Sequence, residues 1–214
     1  MSDKIKVIIA DDHVLIAEAL AMMINMDPDF EVVRIYDNTQ TMLDEVSQIE
    51  PDIVILDINI LPISGLDAVK LIRQLSPKSR TIGVSMHNQP AFAKTMISNG
   101  AMGYVTKNSP KDELYASIRA VMNGKTYICD EVKNRITQDI MSPNDESTRI
   151  NTLTGREIEI IKLLKEGCTT DKIATRLTLS PRTVDTHRAR ILKKLKMKNS
   201  LSMIRLVDEH FPNL

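Results

Sequence analysis

The sequence predicts an α/β domain of five parallel strands followed by a smaller all-α domain of four helices. Three observations predict it. Five short β-rich apolar runs alternate with helical patterns over the first 125 residues. Every pattern after residue 150 is helical. The charge divides at the same place: residues 1–149 carry 15 Lys and Arg against 21 Asp and Glu, a net −6, and residues 150–214 carry 13 against 7, a net +6. Near-continuous apolar strands separated by helices imply a parallel sheet covered on both faces.

The elements follow in order. Strand patterns fall at 5–10, 31–36, 53–56, 81–84 and 103–106, the third ending in Asp57. Helical patterns fall between and after them at 14–24, 39–49, 66–75, 90–98 and 111–122. Residues 130–141 have the pattern of one more helix, and 142–149, polar and charged with Pro143, read as the linker. The expected division is therefore 4–124 for the first domain, 125–149 for a linker with a possible helix, and 150–214 for the second domain.

In the second domain Thr154 and Glu157 have capping-box spacing and open a helix to Glu166, with Gly167 at its end. A short helix is expected at 170–177. Ser180 then caps a third, with Pro181 in its first position and Leu195 near its end, and Ser200 is expected to cap a fourth. Two helices joined by the tight turn 178–180 form a helix-turn-helix. Val184, Ile191 and Leu195 share one face of the third helix. Arg182, Thr186, Ala189, Arg190 and Lys193 lie on the other, with Asp185 at its edge. That face reads either as a solvated surface or as a recognition helix for the major groove, and the +6 of the domain favours the second.

Composition narrows the function. Aromatic residues are 3% of the chain, which disfavours nucleic-acid readers that stack bases on rings. Cys129 and Cys168 are far apart and near no metal-type spacing, so two reduced thiols are expected. No apolar run approaches about 18 residues, and the N-terminus shows no signal-peptide core, so the cytoplasm is the expected compartment.

In an open parallel sheet the loops at the carboxyl ends of the strands build the site. Asp11 and Asp12 follow the first strand, Asp57 ends the third, Ser85 the fourth, and Lys107 follows the fifth. With strand order 2-1-3-4-5 the three carboxylates converge. They would repel one another without a cation, and hard oxygen ligands suit Mg2+. One carboxylate nucleophile, one Mg2+ and one Lys suffice for phosphoryl transfer.

The front half resembles response-regulator receiver domains over about residues 4–124. The carriers are Ile8-Ile-Ala-Asp-Asp-His13, Val54-Ile-Leu-Asp57 with Gly65, Val84-Ser85, and Gly100-Ala-Met-Gly-Tyr-Val-Thr-Lys107. The resemblance implies a flavodoxin-like sheet of order 2-1-3-4-5 with Asp57 as phosphoacceptor. It also implies Mg2+ on Asp11, Asp12, Asp57 and the Asn59 carbonyl, phosphoryl contacts from Ser85 and Lys107, and an aromatic, Tyr104, that moves inward with Ser85. Two places depart from the family pattern. Ile60 and Leu61 stand where Met-Pro is usual, with Pro62 one later, and Met86 follows Ser85 where a small residue is usual.

The back half resembles the LuxR-type helix-turn-helix of the NarL/FixJ regulators over about residues 150–212. Its carriers include Leu153-Thr-Gly-Arg-Glu157, Lys172-Ile-Ala174, Ser180-Pro-Arg-Thr-Val184 and Ile191-Leu-Lys-Lys-Leu195. This implies double-stranded DNA as partner. Asp185, Thr186 and Ala189, with Arg190 alongside, would face the bases; Arg182, Lys193 and Lys172 would hold phosphates, and Thr183 would lie at the interface. Arg188 falls on the core side of the wheel, and His187 reads as structural. The family also implies a sensor histidine kinase, a homodimer when active, and no membrane association.

Enzyme readings fare worse. A phosphatase of the haloacid-dehalogenase type wants a second Asp two residues after the first, and Asn59 stands there. A nucleotide-binding fold needs a Gly-rich loop after the first strand, and Asp11-Asp12-His13 is the opposite. A degenerate receiver controlled by a partner alone would not keep the full acidic set with Ser85 and Lys107.

Overall fold

Apolar, β-branched runs pair side by side as parallel strands in the computed structural model, which describes residues 4–141, 149–150 and 152–210. The strands are β1 (Ile5–Ala10), β2 (Phe30–Tyr36), β3 (Ile53–Asp57), β4 (Arg80–Ser85), β5 (Gly103–Thr106) and β6 (Tyr127–Ile128). They form one sheet of order β2-β1-β3-β4-β5-β6, so the expected order 2-1-3-4-5 holds, with one short strand added at the edge. β6 has two residues, too few for a period-2 pattern to show in sequence; it pairs Tyr127 with Gly103 and Ile128 with Tyr104. All five residues of β3 are buried, as a central strand covered on both faces requires.

Helices α1 (Val14–Asn25), α2 (Thr39–Ile49), α3 (Gly65–Leu75), α4 (Pro90–Asn99) and α5 (Lys111–Met122) connect the strands, and α6 (Asp130–Met141) follows β6. In α5 the buried residues Leu114, Ser117, Ile118 and Val121 fall at helical spacing. The order reversal matters most for function. The chain runs outward from β1 to β2 and then returns to β3 on the other side of β1, so the carboxyl ends of β1 and β3 open side by side.

The described residues fall into two compact units: residues up to 133 without 89–94, and 89–94 with residues from 134 onward. The expected linker 142–149 lies outside the described residues except for Arg149. In the second unit come α7 (Gly155–Lys165), α8 (Thr170–Arg176), α9 (Pro181–Leu195) and α10 (Ser200–His210). The capping box is present: the Thr154 hydroxyl accepts from the Glu157 amide, and the Glu157 carboxylate accepts from the Thr154 amide at 2.7 Å. Glu157 is buried, and Lys194 Nζ stands 2.6 Å from the same carboxylate, so one acid both caps α7 and ties it to α9. The turn between α8 and α9 places Thr178 at φ +53, a left-handed conformation seldom adopted by a β-branched residue.

One cap differs from expectation. Asn199, not Ser200, caps α10: its Oδ1 accepts from the Ser202 amide at 2.9 Å, and Ser200 is the first helical residue. Asn and Ser are comparable caps, and adjacent candidates are separated only by the chain's entry angle. Among the described residues no helix is long and apolar enough to cross a membrane.

Candidate functional site

At the carboxyl ends of β1, β3 and β5 the expected acids and lysine come together. One ligand atom each from Asp11, Asp12, His13 and Asp57 lies within 4.8 Å of the others. Lys107 Nζ stands 2.6 Å from Asp11 Oδ2 and 3.2 Å from Asp57 Oδ1, all three side chains being 2–3% exposed. Asp12 is 41% exposed, at the mouth of the site. Sequence reasoning missed His13. Its Nδ1 lies 2.8 Å from Asp12 Oδ1 and 3.3 Å from Asp11 Oδ1, although its place directly after two acids was a signal available in the sequence.

The turn after β3 depends on Gly65. A Cβ there would lie 2.2 Å from the Asp57 carbonyl oxygen and 2.7 Å from Ile58 Cα, so only glycine lets α3 start this close to Asp57. The Gly65 amide donates to the Ile58 carbonyl at 3.0 Å, closing the loop. Pro62 follows a cis peptide, and the loop is pinned to α2 by the Thr39 amide on the Leu61 carbonyl and the Ile63 amide on Thr39 Oγ1. Asn59 is half-buried and its amide donates to Asp57 Oδ2 at 3.3 Å.

Ser85 is fully buried, and its Oγ accepts from the His87 amide at 3.0 Å. Tyr104 is also fully buried and already inward, its hydroxyl donating to the His87 carbonyl at 2.7 Å. Burial raises the Tyr104 phenol far above its usual value, so it stays a donor. Met86 is 56% exposed, so its bulk lies largely in solvent.

The electrostatics of the cluster are unbalanced. Burial pushes the Asp57 carboxyl up to about 6; Lys107 opposes the rise, and Asp11 and Asp12 add to it. Asp11 Oδ2 is buried and, despite the nearby Lys107, accepts no well-directed hydrogen bond among the described residues. An acid-rich pocket with an under-satisfied carboxylate oxygen fits a hard, oxygen-liganded cation.

A testable consequence concerns stability in metal-free buffer. Asp57 has a higher pKa folded than its ordinary 3.8, so folding takes up a proton and stability falls as pH rises from about 4 to about 6. Asp57→Asn removes that penalty. In EDTA at pH 7–8 the variant should be more stable than wild type by up to about 3 kcal/mol, since one pKa unit is about 1.4 kcal/mol. The gain should fade below pH 4 and on adding divalent cation. Urea denaturation across pH checks this; equal stability at pH 8 would contradict the electrostatic account.

On α9 the expected faces separate. Val184, Ile191 and Leu195 are fully buried. Arg182, Asp185, Thr186, Ala189, Arg190 and Lys193 are exposed, as is Lys172 on α8. Among the described residues none of Arg182, Arg190, Lys193 and Lys172 is ion-paired. Thr183 is half-buried and serves the helix start, its hydroxyl 2.7 Å from Ser180 Oγ. Asp185 Oδ1 accepts from Thr170 Oγ1 at 3.4 Å. Arg188 reaches Thr170 Oγ1 at 3.0 Å and Ser200 Oγ at 3.2 Å, joining α8, α9 and α10. Its head is thus engaged within the unit. His187 has its Nδ1 buried without a partner among the described residues, and burial holds its pKa below the usual value, as fits a structural imidazole.

Comparison with known proteins agrees with this geometry. Residues 7–119 match the response regulator receiver domain, and residues 151–207 match the luxR family of bacterial regulatory proteins. The oxygen regulatory protein NreC of Staphylococcus carnosus (strain TM300) is 32% identical over 208 residues, covering 93% of this chain and 94% of that one. A LuxR-family two-component response regulator from Aurantimonas sp. SI85-9A1 is 27% identical, with a TM-score of 0.62, over 65% of this chain and 99% of that one. RcsB of Salmonella enterica serovar Typhimurium, bound to promoter rprA in the presence of phosphomimetic BeF3-, shares the fold with a TM-score of 0.77 at 19% identity, covering 96% of this chain and 99% of that one. Receiver geometry at one end of the sheet, a helix-turn-helix after it and a full-length relative together place this chain in the family of two-component response regulators with a LuxR-type DNA-binding domain.

Proposed function

We propose that this chain is a transcriptional regulator whose DNA binding is controlled by a phosphoryl group on Asp57. The observation that carries the reading is the convergence of Asp11, Asp12 and Asp57 on Lys107 in a chain that also bears the free basic face of α9. Asp57 is the buried acid that ends β3, 3.2 Å from Lys107 Nζ, and its oxygen attacks phosphorus as the donor's leaving group departs. Asp11, Asp12 and Asp57, with the Asn59 carbonyl, would hold Mg2+, which when bound offsets charge on the transferring phosphoryl oxygens. Lys107 takes up charge on a phosphoryl oxygen, Ser85 offers its hydroxyl to another, and Tyr104 fills the space behind Ser85. The donor class is the phosphohistidine of a sensor kinase. The active form is a homodimer on double-stranded DNA, and the compartment is the cytoplasm. The domains are 4–124 and 150–214 with the linker 125–149 between them. RcsB, by its description, is bound to promoter DNA in the presence of a phosphomimetic, which supports DNA as the partner here.

On α9 and α8, Arg182, Lys193 and Lys172 hold phosphates, while Asp185, Thr186, Ala189 and Arg190 face base edges and Thr183 lies at the helix start. Titration of the full-length chain on its promoter DNA tests this assignment. Alanine at Arg182, Lys193 and Lys172 should weaken binding to all sequences and reduce the slope of log affinity against log salt by about 0.9 for each phosphate no longer neutralised. Asp185→Ala should instead relax sequence preference, by about 1–3 kcal/mol at one base pair. An unchanged salt slope in the triple variant would sink the interface assignment.

A further inference from the structure

We propose that Glu131 is a positioning residue that ties the start of α6 to the loop after β4 and to the end of β5, so that the state of Asp57 reaches the segment leading to the DNA-binding helices. The proposal rests on the reading of Asp57 given above.

The Glu131 carboxylate accepts two hydrogen bonds, one per oxygen. Asn88 Nδ2 donates to Oε1 at 2.5 Å, and Thr106 Oγ1 donates to Oε2 at 2.9 Å. The two donors sit beside the reacting groups. Asn88 stands three residues after Ser85, and Thr106 directly precedes Lys107. The intervening loop is itself bonded through: the His87 amide donates to Ser85 Oγ, and Tyr104 donates to the His87 carbonyl. A Ser85 hydroxyl recruited by a phosphoryl oxygen carries the His87 amide with it, and the next residue is Asn88.

The rest of this segment is fastened to β5 and α5. Tyr127 and Ile128 pair with β5, the Cys129 amide donates to the Tyr104 carbonyl at 2.9 Å, and the Asp130 amide donates to Glu113 Oε1 of α5 at 2.6 Å. Those bonds fix where α6 begins. The Glu131 bonds reach instead the loop after β4 and the last residue of β5, next to Lys107, and a carboxylate acceptor makes them stronger than neutral ones. Glu131 is exposed, so removing its carboxylate opens no cavity. The pairing of the two-residue β6 with β5 delivers residue 131 to the carboxyl end of the sheet.

The test compares full-length wild type, Glu131→Ala and Glu131→Gln. Gln keeps one acceptor oxygen, and its amide can donate to a turned Asn88, so it should behave as wild type. All three should take up a phosphoryl group from acetyl phosphate and Mg2+ to the same extent and unfold at the same temperature. In wild type and Gln, phosphorylation should change hydrogen exchange over 130–136 and raise DNA affinity. In Ala the exchange response should vanish, and the ratio of phosphorylated to unphosphorylated affinity should fall to within about twofold of one, against the roughly 5–150-fold usual for coupled sites. Asn88→Ala with Thr106→Val, which leaves Glu131 in place, should reproduce the Ala result. The proposal is overturned if Glu131→Ala keeps the wild-type exchange response and affinity ratio, or if phosphorylated wild type shows no change at the start of α6. Wild type that takes up no phosphoryl group would instead refute the reading of Asp57, and this proposal with it.

Discussion

Asp57→Asn should take up no phosphoryl group from acetyl phosphate in Mg2+, and Asp12→Ala should be labelled at least about 100-fold more slowly than wild type, the cost typical of removing one electrostatic partner of a transition state. The reasons differ. In the proposed reaction Asp57 supplies the attacking oxygen, and its loss leaves no acceptor. Asp11 has one oxygen 2.6 Å from Lys107, and its other oxygen accepts from the His13 amide at 3.0 Å. Asp12 is largely outside the ion pairs of Lys107, so its loss leaves packing intact and removes one carboxylate of the proposed cation site. Lys107→Ala is a poorer test, because it strands the buried Asp11 and Asp57 without a counter-cation, which typically costs about 3–5 kcal/mol of stability. Intact-mass spectrometry over time reads the result. Equal labelling of wild type and Asp57→Asn would remove Asp57 from its role.

The bounds of two strands and two connecting helices were read to the residue. β1, β5, α2 and α5 begin and end where the residue pattern places them, and at the two helices the signal is the turn residue before the start, Asn38 before Thr39 and Pro110 before Lys111. The five site positions could be read because a parallel sheet leaves so few places for polar groups: an acid or lysine ending an apolar run must stand at the rim. What the sequence hid depends on contacts distant along the chain. β6 exists because β5 offers an open edge to Tyr127 and Ile128, not because two residues carry a strand signal. Glu131 looks like first-turn helix charge until the fold brings Asn88 and Thr106 to it, 43 and 25 residues away. Arg188 was legible as a core-side residue on the helical wheel, but its partners Thr170 and Ser200 belong to two other helices. Asn199 and Ser200 are both good caps in sequence, and only the chain path chooses between them.

Phosphorylation should raise the affinity of the full-length chain for its operator by about 5–150-fold, since the phosphoryl group can shift the balance of states only by its differential stabilisation of them, typically about 1–3 kcal/mol. Two routes lead there. A front of net −6 tethered to a back of net +6 can shield Arg182, Arg190 and Lys193 at high effective concentration until the receiver changes state. Alternatively, phosphorylated chains pair and engage two half-sites together. Shielding predicts that the segment 149–214 alone binds more tightly than the unphosphorylated full-length chain. Pairing predicts a steeper dependence on protein concentration after phosphorylation.

The most direct measurement is a binding isotherm on operator DNA at fixed salt for wild type and Asp57→Asn, each with and without acetyl phosphate and Mg2+. The account predicts that the donor tightens binding by wild type at least about fivefold, the lower end of ordinary allosteric coupling, and leaves Asp57→Asn unmoved. It is contradicted if wild type, shown by mass to be phosphorylated, binds DNA no differently from its unphosphorylated form, or if Asp57→Asn responds to the donor as wild type does.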